Sequence, residues 1–157
     1  MLNYYQSVVF LGAFGICVVA GIDPDKKLLA EGIKFAAECA STDGIKFGLC
    51  AEMYQEGANI GDSKYDECKC WISCVAKKMK VMKEDGTWDM DGVKKIIDGL
   101  QHPEWKAEAE KVLPMCKEAS GGTKCDPGFN AFVCVMKNSE KAKTYVMQML
   151  KAMAGLT

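Results

Sequence analysis

Arginine is absent from this chain: its 20 basic side chains are all Lys, set against 21 Asp and Glu for a net charge of −1. A near-neutral surface without guanidinium forks lacks the usual grip on phosphate, which argues against a nucleic-acid partner. Histidine occurs once, at His102. One imidazole excludes most His-based catalysis and most zinc sites. The catalytic signatures G-x-S-x-G and H-E-x-x-H are missing, as is any Gly-rich phosphate loop. A secreted phospholipase would want a His-Asp pair on a helix, but His102 is followed by Pro103. The sequence therefore implies no enzyme, no cofactor and no metal. Alternation of period two is nearly absent, so strands are not expected. There is no internal repeat, low-complexity tract or long linker.

What is present is a chain of 157 residues, a length that suits one domain. Such a domain can bury roughly 70% of the surface its unfolded chain exposes. Hydrophobic residues at 49% and charged residues at 26% read as globular. Nine cysteines point to a secreted disulfide scaffold. The N-terminal stretch Met1 to Ile22 carries no charged side chain, and Val8 to Ala20 is an unbroken apolar run. That run suits a signal-peptide core and is short of the about 20 residues of a membrane span. Residues 1–20 are expected to be a signal peptide and 21–157 the mature domain, with no stable membrane anchor. The Lys-free Met1 to Ser7 departs from the usual charged start. Cleavage after Ala20 would remove Cys17 and leave eight cysteines, an even number.

Beyond this segment the pattern is helical. Asp23 and Pro24 read as cap and first turn of a helix carrying Leu28, Leu29, Ile33, Ala36 and Ala40, broken at Asp43-Gly44. A short helix follows from Phe47 to Gln55, ending at Gly57. Asp62 or Ser63 caps a third, with Ile72, Val75, Met79 and Met82 on one stripe. Lys83 to Gly86 is a turn, and Asp89 precedes a fourth helix carrying Val93, Ile96, Ile97 and Leu100. A fifth spans Glu104 to Ala119, with Pro114 expected to kink it. Asp126-Pro127 opens a helix through Lys137, and the last runs from about Ser139 to Ala154 with Ala142, Tyr145, Val146, Met149 and Met153.

The mature cysteines are Cys39, Cys50, Cys68, Cys70, Cys74, Cys116, Cys125 and Cys134. Cys70 and Cys74 share a helical face and are placed to reach two neighbouring segments, while Cys68 points elsewhere. A zinc cluster on Cys68, Cys70 and Cys74 lacks the usual ligand spacing. The stretch from Thr87 to Asp98 imitates a calcium loop, but Thr87 stands at its first position and the short Asp98 at its twelfth, so a turn and helix cap is expected. His102 reads as a surface loop residue, with a pH sensor as the alternative. The lysines at 77, 78, 80 and 83 read as a solvated face.

The spacing of six cysteines resembles that of the insect odorant-binding protein family. Three residues separate Cys70 from Cys74, 41 separate Cys74 from Cys116, and eight lie in each of the gaps Cys116–Cys125 and Cys125–Cys134. Thirty residues separate Cys39 from Cys70. The stretch Cys125 to Cys134 resembles the family's penultimate helix, and Glu84-Asp85-Gly86 with Trp88 to Asp91 resembles its loop before the fourth. The likeness covers Lys27 to the C-terminus. It implies an all-α fold of six to seven short helices around an apolar cavity, cross-linked as Cys39–Cys74, Cys70–Cys125 and Cys116–Cys134. Cys50 and Cys68 fall outside the pattern and are inferred to form a fourth bridge. Val135 after Cys134 departs from the Pro of the family's cysteine-rich branch.

The resemblance implies a secreted carrier of small hydrophobic ligands such as odorants or pheromones. A carrier of lipids or amines in saliva, haemolymph or reproductive fluid is the alternative, as is a structural or defensive protein with a dry core. The ligand is the implied partner, with a chemosensory receptor and a homodimer left open. Candidate ligand-binding residues are Ile33, Met53, Met90, Val93, Ile97, Phe129, Phe132, Met136, Tyr145, Val146 and Met149. Ser73 joins them because its position often borders the cavity in the family. The segment Leu150 to Thr157 could fold back over the cavity, as in some relatives.

Overall fold

The computed structural model describes residues 26–119 and 121–155. The expected signal peptide and the Asp23-Pro24 helix start lie outside them. Among the described residues there are seven helices: α1 (Lys26–Asp43), α2 (Phe47–Glu52), α3 (Asp66–Lys78), α4 (Met90–Gly99), α5 (Pro103–Cys116), α6 (Asp126–Asn138) and α7 (Glu140–Met153). None is long and apolar enough to cross a membrane. The described residues hold no strand, only a single antiparallel bridge between Met82 and Trp88.

The helix ends follow local chemistry. α1 stops where Gly44 takes φ +63°, the left-handed region open to glycine. α2 is shorter than its pattern predicts. Past Glu52 the chain tightens, Tyr54 N–H bonding to Ala51 C=O and Gln55 N–H to Glu52 C=O, three residues back rather than four. Asp62 caps a short 3-10 turn, Ser63–Tyr65, its carboxylate accepting from Lys64 N–H at 2.9 Å. α3 then starts at Asp66. It ends in a Schellman motif, with Val81 N–H to Ala76 C=O and Lys80 N–H to Lys77 C=O. Lys80 takes the left-handed position (φ 58°) usually given to glycine. The adjoining position belongs to Gly92 instead, where a Cβ would overlap the Lys80 carbonyl oxygen. Asp89 caps α4, accepting from Gly92 N–H at 3.1 Å. α5 ends at Cys116, short of the expected Ala119, one turn after Val112 and with Pro114 in its last turn.

α3 is the central element. It packs against α1 and α6, while α6 also touches α5 and α7, α2 rests on α7, and α4 rests on α5. Three of the four disulfides start from α3: Cys74 to Cys39 on α1, Cys68 to Cys50 on α2, and Cys70 to Cys125 at the start of α6. The fourth, Cys116–Cys134, ties α5 to α6. A solid core forms where α1, α2, α3, α6 and α7 meet, around Cys39, Cys50, Met53, Tyr65, Trp71, Phe129 and Leu150. Phe47 meets the Trp71 ring edge-on, centroids 5.3 Å apart.

Bridges Cys50–Cys68 and Cys116–Cys134 each span 18 residues. Chain entropy assigns either loop about 3 kcal/mol. Replacing Cys50 and Cys68 together by Ala is expected to lower the unfolding free energy by about that amount. The same double replacement at Cys116 and Cys134 should match it, as read from urea titrations of both variants. A clearly unequal loss would mean that native packing, not loop closure, sets their worth.

Candidate ligand cavity

Beside the solid core lies a void of about 370 Å³. α1 contributes Leu28, Ile33 and Ala36 to its wall, α3 contributes Trp71, Ile72 and Val75, and α6 contributes Ala131, Phe132 and Val135. Tyr145, Val146 and Met149 close it from α7, with Tyr54 from the turn after α2. A second lobe of about 330 Å³ lies under α4 and α5, lined by Val93, Ile96, Ile97, Ala109, Val112 and Leu113. Leu28, Met79, Val81, Trp88, Leu100, Trp105 and Val135 line both, so the lobes adjoin across one shared wall.

The polar atoms of these walls are largely spent within the fold. Trp71 Nε1 donates to Ala36 C=O at 3.0 Å, and Trp88 Nε1 to Cys116 C=O at 2.9 Å. Each indole thereby turns carbon toward the void. The link from Met79 to Asp89 doubles back through Lys83 N–H to Thr87 C=O and Asp89 N–H to Val81 C=O, which aims both Met82 and Trp88 inward. On the outer side Glu104 accepts from Lys141 Nζ at 2.8 Å, joining α5 to α7, and Trp105 meets Tyr145 edge-on at 6.1 Å. The Lys141 ammonium holds the Glu104 carboxyl below the usual range. Burial alone raises the phenol pKa of Tyr145, and raises that of Tyr54 much further, so both hydroxyls stay protonated at physiological pH.

The structure brings together seven of the twelve residues proposed from sequence. Ile33, Phe132, Tyr145, Val146 and Met149 line the main lobe, and Val93 and Ile97 the second. Five stand elsewhere. Met53 and Phe129 lie in the solid core. The Lys69 ammonium sits 5.9 Å from the Phe129 ring. Met136, on α6, is buried and belongs to neither lobe's lining. Met90, first residue of α4, is 42% exposed. Ser73 donates its hydroxyl to Cys125 C=O at 2.8 Å. It lies against Gly128, where a Cβ would overlap that hydroxyl. The Ser73 hydroxyl thus joins α3 to α6 and is already engaged.

The sequence reading passed over Tyr54, Trp71, Trp88, Trp105 and Val135 as lining residues. Trp88 carried a usable signal, an aromatic side chain in the otherwise polar stretch Glu84 to Asp91. Tyr54 carried none, because it follows a helix too short for a face to be read. Elsewhere the sequence motifs serve local structure. His102 occupies the N-cap position of α5. Asp85 accepts from Thr87 N–H and hydroxyl in the turn just before the stretch that imitates a calcium loop. Lys77 and Lys78 reach Glu84 and Glu38, so part of the expected solvated lysine face acts as clips.

Comparison with known proteins places this geometry among relatives. The model of the PBP/GOBP family matches residues 23–138. General odorant-binding protein 19a of Drosophila melanogaster is 27% identical over 84 residues, 51% of this chain and 56% of that protein. The chain thus spans little more than half the length of that curated relative. Among solved structures, odorant binding protein 4 of Chrysopa pallens superposes with a TM-score of 0.64 at 19% identity, covering 77% of this chain and 97% of that one. The Locusta migratoria protein lmigOBP1 gives 0.61 at 17% identity, covering 86% and 97%. These likenesses show the fold.

Because Ser73 is engaged between helices, Ser73→Ala is expected to lower stability by about 1 kcal/mol, the worth of one buried hydrogen bond. Binding of an apolar fluorescent probe should stay unchanged. Parallel thermal unfolding and probe titration check both halves.

Proposed function

The chain belongs to the PBP/GOBP family, and from that premise we propose that it is a secreted carrier of small hydrophobic molecules, taken up and released unchanged. One observation carries this reading: a void of about 370 Å³ walled by aliphatic and aromatic side chains and framed by four disulfides. Preformed apolar concavities with few polar groups are built for binding. Taking roughly 30 Å³ per non-hydrogen atom, as in a liquid, the main lobe suits a ligand of about a dozen such atoms. A micromolar affinity corresponds to roughly −8 kcal/mol, within reach of a buried ligand of that size. The lining includes Met79, Met82 and Met149, whose flexible thioethers adapt to ligands of varied shape. Odorants and pheromones are the proposed ligand class, on the strength of the family.

Secretion is supported by chemistry independent of the cavity. Eight paired cysteines persist in an oxidising compartment. The apolar run Val8 to Ala20 supplies a route there, and its removal would also remove the ninth cysteine, Cys17.

Two measurements test the proposal. Val135 lines both lobes, so Val135→Phe places a ring where they adjoin. It is expected to weaken binding of an apolar fluorescent probe at least roughly tenfold, about 1.4 kcal/mol, with the disulfides intact. Full-strength binding by that variant would move the site elsewhere. N-terminal sequencing of protein secreted from insect cells is expected to begin at Gly21, and an intact Met1 would contradict the signal peptide.

A further inference from the structure

The Tyr54 hydroxyl is closed off from solvent and has no hydrogen-bond partner, and it is the sole buried side-chain polar atom in that state among the described residues. The same side chain forms part of the main lobe's wall. An unsatisfied buried hydroxyl costs roughly 1–3 kcal/mol, so its persistence calls for an explanation. Strain does not supply one, because the segment is held from several sides. Cys50, one turn earlier, is bonded to Cys68. Glu52 accepts from Lys64 at 2.6 Å and from the Tyr65 hydroxyl at 3.2 Å. The Tyr54 ring packs edge-on against Phe132, centroids 5.8 Å apart. Nor does water answer the need. A buried water requires two to four polar partners, and the neighbouring indole N–H groups of Trp71 and Trp88 are already bonded to backbone carbonyls.

We propose that the Tyr54 hydroxyl is the polar anchor of the main lobe, and that its missing partner is an uncharged acceptor oxygen (carbonyl, ether or hydroxyl) on an otherwise apolar ligand. The proposal rests on the carrier reading and adds the chemical class of the ligand. The main lobe's described lining contains no charged side chain, so a carboxylate would enter without a counter-ion and is disfavoured. A neutral ketone, ester or alcohol brings one oxygen to the phenol and buries the rest of its surface against carbon. The hydroxyl has no exposure even to the open lobe, so a ligand oxygen reaches it only where the Tyr54 ring turns toward that lobe. A phenol kept neutral by burial donates at every physiological pH.

The test uses the mature, oxidised protein, N-phenyl-1-naphthylamine as the displaceable probe, and two competitors of equal heavy-atom number, 2-undecanone and dodecane. Tyr54→Phe is expected to weaken ketone binding about tenfold relative to wild type while leaving hydrocarbon affinity unchanged. In wild type the bound ketone's carbonyl stretching band should also move to lower wavenumber, a measurement that needs no variant. An unshifted band, or ketone affinity that is unchanged in a folded Tyr54→Phe, would overturn the anchor while leaving the carrier intact. Failure of the probe and both competitors to bind wild type would instead overturn the carrier reading, and the anchor with it.

Discussion

Everything in this molecule depends on how α3 is tethered. Its thirteen residues carry Cys68, Cys70 and Cys74, and these leave the helix in different directions to α2, to the start of α6 and to α1. A hydrophobic core usually positions helices by filling the space between them. Here covalent bonds take over part of that task, so the space between α1, α3, α6 and α7 need not be filled. The solid core collects on the side where α2 is bonded, around Cys50, Cys68, Met53 and Tyr65. The void adjoins that core and shares Ala36, Cys50, Trp71, Ile72 and Leu150 with it as wall.

Close approach on one side of α3 complements distance on the other. Gly128 lets α6 come against Ser73, and the Ser73 hydroxyl uses that proximity to reach the Cys125 carbonyl. The contact and the neighbouring Cys70–Cys125 bridge fix the start of α6. From there Ala131, Phe132 and Val135 follow at helical spacing along the cavity wall. Gly92 acts similarly at the other end, letting α4 approach the Lys80 carbonyl and bringing Val93 and Ile97 over the second lobe. Small residues and one hydroxyl thus determine where large apolar side chains point.

Much of this was legible in the sequence because two of its signals are one-dimensional. Cysteine spacing identifies a family without reference to shape, and helical periodicity identifies faces. The stripes Val93, Ile96, Ile97, Leu100 on α4 and Tyr145, Val146, Met149 on α7 are the faces that meet the void. On α6 the reading went astray in a specific way. The candidates there are Phe129, Phe132 and Met136, but Gly128, Ala131, Phe132 and Val135 form the wall, so Phe129 and Met136 each lie one residue, about 100°, off the lining face. Periodicity gives a stripe but not its absolute rotation, and here Phe132 with the smaller Gly128, Ala131 and Val135 faces the void while Phe129 and Met136 are buried away from it. Tyr54 escaped for another reason: it sits on an irregular connection after α2, which no period describes.

The void has an energetic consequence that links scaffold to ligand. Unfilled apolar volume destabilises by roughly 24 cal/mol per Å³ where walls cannot relax, so a lobe of about 370 Å³ corresponds to about 9 kcal/mol of forgone packing. Disulfide loops of 18 to 55 residues contribute roughly 3–4 kcal/mol each, so about three of the four bridges offset that loss. The protein therefore holds its cavity open by constraining the unfolded chain rather than by strengthening the folded one. On the proposed carrier reading, a ligand would enter a site whose formation has already been accounted for, and most of its contact energy with Trp71, Phe132 and Val146 would be free to appear as affinity.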